Sequence, residues 1–204
     1  MKRLPILLLL LACVSSAVPQ SGRRVSTTKT TPIAPVQPSA NPEPDISAPP
    51  KPRPSALMFL PEKVLERKIK TIDDSKTFRL ADFQGKVMVI NIWASWCGPC
   101  RREVPEYERV RKDYAGNENV EFIGLTVDDS VDAPKVARFV RETGFSFRLG
   151  WAEEDMARVL MNNRGSIPQT LVIDRSGAVI SHWDGYARGH NASRLKDAIE
   201  NALK

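Results

Sequence analysis

Two cysteines with two residues between them, in Trp96-Cys97-Gly98-Pro99-Cys100, follow closely on the apolar run Lys86-Val-Met-Val-Ile-Asn-Ile92. That run lacks polar alternation, which predicts a strand buried on both faces. Pro99 suits only the first turn of a helix, where its missing N–H costs nothing, so a helix is expected from Gly98 to about Ala115. The i, i+3 spacing places both sulfurs on one side of that first turn, close enough to form or open a disulfide. Unpaired N–H groups and the macrodipole at the helix N-terminus favour a thiolate at Cys97, the expected attacking nucleophile. Cys100 lies one turn deeper and is expected to resolve the mixed disulfide that Cys97 forms.

Two other readings of the pair carry less weight. A C-x-x-C can be half of a zinc site, but there is no second one, and the only histidines are His182 and His190. No metal is therefore expected. An inert structural disulfide would close a ring over neighbouring residues and constrain few unfolded conformations. Redox chemistry remains.

The rest of the chain from Leu57 alternates strand and helix patterns. Lys68–Ile72 and Lys76–Leu80 flank Asp73-Asp74-Ser75 and read as a hairpin. Asn119–Val127 reads as a second buried strand, and Ala133–Thr143 and Glu153–Asn162 as helices. Gln169–Asp174 and Ala178–Asp184 are strands joined by Arg175-Ser176-Gly177, and Ala192–Leu203 is a closing amphipathic helix. The expected class is α/β: a mixed central sheet flanked by helices, with an added N-terminal hairpin. Asn191-Ala192-Ser193 matches a glycosylation sequon, and the match is read as chance.

The first 56 residues differ in kind. Met1-Lys2-Arg3 and the apolar run Leu4 to Ala12 form a signal peptide too short to cross a bilayer. Leu10-Leu11-Ala12-Cys13 resembles the lipobox of bacterial lipoproteins, which makes Cys13 a lipidation site and gives the third cysteine a role. Ordinary cleavage after Ala17 is the alternative and leaves a soluble periplasmic or secreted protein. Ten of the 16 prolines fall between Val18 and Ser55, so residues 18–56 read as a disordered linker between a signal segment at 1–17 and a domain at 57–204. Residues 1–56 carry seven Lys/Arg against two acids, while 57–204 carry 23 against 22. Five of the six net positive charges thus belong to the arm and the domain is close to neutral, which suits an anionic membrane surface and argues against nucleic acid as a partner.

Asn91-Ile-Trp-Ala-Ser-Trp-Cys-Gly-Pro-Cys100, followed by Arg101-Arg102-Glu103-Val104-Pro105, resembles the thioredoxin superfamily and its exported TlpA/ResA-type branch. Phe78-Arg-Leu-Ala-Asp-Phe-Gln-Gly-Lys86, Gly124-Leu-Thr-Val-Asp-Asp129 and Ser166-Ile-Pro-Gln-Thr-Leu-Val-Ile-Asp-Arg-Ser-Gly177 extend the likeness over 62–204. The resemblance implies a thioredoxin fold and a disulfide reductase acting on exported proteins. Pro168 matches the family's cis-proline, with Ile167 before it left free to pair with a client strand. Trp96, Gly98 and Pro99 would form the rim. Thioredoxin has a buried Asp where this chain has Asn91, and Glu103, three residues after Cys100, occupies the place of the branch's acid. Burial would raise its pKa into a useful range. A solvated first-turn Glu is the plainer reading of Glu103.

The Gly-Pro dipeptide is that of reducing thioredoxins. A reductant in an oxidising compartment needs electrons from a membrane thiol-relay protein, since no flavin or nicotinamide motif is present; no cofactor is expected. Apocytochrome c and misoxidised exported proteins are the candidate clients. An oxidant or isomerase of the same fold is an alternative, as is a non-catalytic tethered module that grips extended peptides. A peroxidase needs Thr or Ser three residues before its reactive cysteine, where this chain has Ala94.

Overall fold

The computed structural model describes residues 58–204, so the signal segment, Cys13 and the Pro-rich stretch lie outside the described residues. In chain order the elements are β1 (Met58–Phe59), α1 (Glu62–Leu65), β2 (Ile69–Lys70), β3 (Thr77–Phe78), β4 (Val87–Trp93), α2 (Gly98–Asp113), β5 (Val120–Thr126), α3 (Ala133–Thr143), β6 (Arg148–Trp151), α4 (Glu154–Leu160), β7 (Gln169–Ile173), β8 (Ala178–Asp184) and α5 (His190–Ala202).

β4 is the centre of a six-stranded sheet ordered β1-β8-β7-β4-β5-β6. It runs parallel to β5 and antiparallel to β7, and all seven of its residues are buried. That position explains the unbroken apolar run: each face has to meet a layer of helices. Val87, Val89 and Trp93 face the core built with α2, α3 and α5, while Met88, Ile90 and Ile92 face the one built with α1, α4 and the 3-10 turn Leu80–Phe83. Trp93 stacks on Phe139 at 4.6 Å and meets Phe145 edge-on at 5.3 Å. Such pairs add roughly 0.5–1.5 kcal/mol beyond area burial.

The hairpin forms as a separate two-stranded sheet with strands shorter than the pattern suggests, because Asp73 draws Thr71 Oγ1, Ser75 N–H and Ser75 Oγ into the turn. It joins the main sheet's edge at a bridge from Thr71 to Gly150 of β6. A Cβ on Gly150 would lie 2.5 Å from Ile69 Cγ2 and 3.1 Å from the Lys70 carbonyl oxygen. Gly150→Ala is therefore expected to pry the hairpin off β6 and cost about 1–3 kcal/mol in a denaturant melt. An unchanged midpoint would mean that the hairpin is loosely held.

Three elements escape the sequence pattern: β1 pairs with β8 through only two residues, α1 is a four-residue turn of helix, and β6 has four residues at the other edge. The helix expected to run to Asn162 stops at Leu160, because Asn162 and Asn163 adopt left-handed conformations, which Asn tolerates better than most residues. No helix among the described residues is long and apolar enough to cross a membrane.

Candidate active site

The end of β4 turns into α2 through Ala94-Ser95-Trp96, and the turn is pinned from β5. Asp128 accepts from Ser95 N–H at 2.7 Å, from Ser95 Oγ at 2.7 Å and from Thr126 Oγ1 at 2.5 Å. Arg101 Nη2 donates to the Ser95 carbonyl at 3.2 Å, and Cys97 N–H donates to Ala94 O at 3.1 Å. These bonds deliver Cys97 to the N-cap of α2. Its Sγ accepts from Cys100 N–H at 3.1 Å and is joined to Cys100 in a disulfide, with the two Cα atoms 5.3 Å apart.

The two sulfurs differ in surroundings. Cys97 is 4% exposed and opens onto a rim formed by the exposed Gly98, Pro99 and Trp96, whereas Cys100 is fully buried. Trp96 is 68% exposed, which rules out a plain packing role. The Ile167–Pro168 peptide is cis, as the resemblance implies. Pro168 is buried, and its carbonyl accepts from Gly185 N–H at 2.8 Å. Ile167 packs against the cluster that holds both cysteines and makes no backbone–backbone hydrogen bond among the described residues.

One helical turn past Cys100, Glu103 is fully buried, so the solvated reading does not hold. Its Oε2 accepts from Asn91 Nδ2 at 3.0 Å and its Oε1 from Asn191 Nδ2 at 2.6 Å. Burial pushes its pKa up from 4.5 to about 7, against the pull of these donors. Asn91 also donates to Thr170 Oγ1 at 3.2 Å; Thr170 meets Tyr107 OH at 3.2 Å, and Trp183 Nε1 donates to that hydroxyl at 3.2 Å. Asn191 is pinned at both ends: Nδ2 also donates to Gly185 O at 2.9 Å, and Oδ1 accepts from Ala187 N–H at 3.1 Å. Asn91 Oδ1, by contrast, is buried with no partner.

Asn91, Cys97, Cys100, Glu103, Ile167 and Pro168 thus converge at one end of the sheet, while Cys13 lies outside the described residues. Asn191, Tyr107, Thr170 and Asp128 join them without a signal that spacing could carry. The sequon at Asn191 is indeed fortuitous as a surface feature: the residue is 5% exposed and its amide is committed to Glu103. A buried redox pair, a carboxyl poised to titrate near neutrality and an open rim suit thiol-disulfide exchange with a second protein.

The Redoxin family model matches residues 44–199. Thiol-disulfide oxidoreductase ResA of Geobacillus kaustophilus is 32% identical over 124 residues, covering 60% of this chain and 68% of that protein. ResA of Bacillus thuringiensis is 28% identical over 131 residues, covering 64% and 69%. Among solved structures, a thiol:disulfide interchange protein of the thioredoxin family from Chlorobium tepidum superposes with a TM-score of 0.58 at 27% identity, covering 68% of this chain and 93% of that one. With the sheet order, the cysteine pair and these likenesses in agreement, the chain belongs to the Redoxin family, as a ResA-like thiol-disulfide oxidoreductase of the thioredoxin superfamily.

Proposed function

We propose that the chain works as a reductant of disulfides in extracytoplasmic proteins, held to the membrane by a lipid on Cys13. The reading rests above all on one observation: the Cys97–Cys100 pair at the N-terminus of α2, one turn from buried Glu103. The leader and lipobox support export. The Pro-rich composition of residues 18–56 suits a tether between the anchor and the domain.

In the proposed cycle the Cys97 thiolate attacks one sulfur of a client disulfide. A Cys97–client bond forms, the client S–S bond breaks, and one client thiolate leaves. Glu103 in its ionised form takes the proton of Cys100, whose thiolate attacks Cys97 Sγ. The Cys97–Cys100 bond forms, the second client thiolate departs, and protons from Glu103 and solvent neutralise the products. The client gains two electrons and the dithiol loses two, so each turnover requires a dithiol donor, which we assign to a membrane thiol-relay protein. Ile167, with its free backbone groups beside the pair, receives the client as an extended strand. Apocytochrome c, whose thiols must be reduced before haem attachment, is the proposed client class.

The test is the equilibrium reduction potential of the purified protein against a dithiol redox buffer. A value near that of thioredoxin, about −270 mV, is expected for a reductant. A value near about −120 mV would make the protein an oxidant and overturn the direction proposed.

A further inference from the structure

Behind Ile167 and Pro168 lies a second polar assembly, joined to the one around Glu103 through Asn91 Nδ2, which donates to the Gln169 backbone carbonyl at 3.5 Å. Gln169, the first residue of β7, is fully buried. Its Nε2 donates to Ser166 O at 2.7 Å and to Arg164 O at 3.4 Å, so both carbonyls are tied to one amide. With Nε2 committed to acceptors, the Gln169 oxygen is the atom that faces His182 Nε2, 2.8 Å away. That geometry assigns the tautomer of His182: Nε2 carries the proton and donates, and Nδ1 is left to accept from Arg164 Nη2 at 3.5 Å. A second arm from β8 completes the brace. Asp184 accepts from Ser166 Oγ at 3.0 Å and pairs with Arg164 at 3.4 Å.

We propose that neutral His182 is a positioning residue for client binding: it fixes the Gln169 amide, and Gln169 in turn holds the Arg164–Ser166 turn that presents Ile167 to an extended peptide. The inference rests on the reading of Ile167 as the client-binding position. A buried amide that could rotate would offer its oxygen to two carbonyls and lose both bonds; the imidazole removes that freedom. His182 touches neither sulfur, so its effect belongs in binding and not in the exchange step.

The charged groups that act on His182 are Arg164, from the loop after α4, and Asp184, two residues further along β8. Burial first, and then Arg164, hold the imidazole below its ordinary range, while Asp184 opposes them. Protonation turns Nδ1 from an acceptor into a donor that faces the Arg164 guanidinium. Arg164 must then swing away, and the turn loses one of its ties.

Steady-state kinetics with a saturating dithiol as electron donor, corrected for its direct reaction with each substrate, test this on two disulfides: a peptide carrying a disulfide in an extended sequence, and a small aromatic disulfide with no peptide backbone. His182→Ala is expected to raise KM for the peptide about three- to tenfold, the worth of one net hydrogen bond, and to leave kcat and the small-disulfide rate within about twofold. The retained small-disulfide rate doubles as the check on folding. His182→Gln keeps a donor for Gln169 and is expected to recover most of the loss. Wild-type KM for the peptide should climb as pH falls through the lowered His182 titration, while His182→Gln should show no such climb.

If Ile167→Asp raises the peptide KM and His182→Ala does not, the positioning role is overturned and the client-binding reading stands. If neither substitution moves it, the client-binding reading fails and takes the inference with it. A small-disulfide rate that falls in step with the peptide rate in His182→Ala also overturns the inference, because His182 would then act on the dithiol or the fold.

Discussion

Replacing Cys97 with Ser is expected to abolish reduction of a disulfide-bearing peptide, a loss of at least about a thousandfold, because the attacking sulfur itself is gone. Replacing Cys100 with Ser should have a different signature. Cys97 can still open the client disulfide, but nothing displaces it, so the protein should accumulate as a covalent adduct visible on a non-reducing gel. The asymmetry follows from position: Cys97 is the N-cap residue at an open rim, and Cys100 is fully buried behind it. Full biological activity in Cys97→Ser would instead mean that the fold serves to hold peptides and that the exchange chemistry is dispensable.

Glu103→Gln should separate function from stability. Burial raises the folded pKa from 4.5 to about 7. Over that interval the folded chain keeps a proton that the unfolded chain has released, so stability falls as pH climbs through it. Fully ionised, above about pH 7, the buried carboxylate costs on the order of 3 kcal/mol. The Gln variant should therefore be more stable than the wild type at pH 8 by up to that amount, and the difference should vanish near pH 4. Asn91 can turn its unpartnered oxygen to the new NH2 group only by giving up its Nδ2 bonds to Thr170 Oγ1 and the Gln169 carbonyl, which makes the full amount an upper bound on the gain. Resolution of the mixed disulfide should show the opposite trend. In the wild type its rate rises with pH to a plateau above about 7; in Glu103→Gln it should be about a hundredfold slower, with that step gone. A variant that is more stable and equally fast would remove Glu103 from the proton path.

Much of the fold is legible because its signals are local. The unbroken apolar run of β4 reports a central strand, and α3 runs from Ala133 to Thr143, as its spacing and Pro134 predict. β1 and β6 are missed because strands of two and four residues at the sheet edges are too short to establish a period. Asn91 reads from sequence as a group that cannot titrate; its use as a donor to Glu103 depends on strand register, which places it beside Thr170 of β7. His182 is visible only as one of two histidines too few for a metal, and its partner Gln169 lies across a hairpin.

The strand-to-helix junction, the inequality of the two thiols and the alternating architecture follow from local sequence, because helix-end chemistry and periodicity act over a few neighbouring residues. The surroundings of the pair come instead from long-range packing. Glu103 meets Asn91 twelve residues before it and Asn191 eighty-eight after it, and the Ser95 turn hangs on Asp128, thirty-three residues on. Such contacts require β4, β5 and β7 to be in register and α5 to be docked on α2. Burial then turns an ordinary glutamate into one that titrates near neutrality, an effect that arises only once the surrounding chain has excluded water.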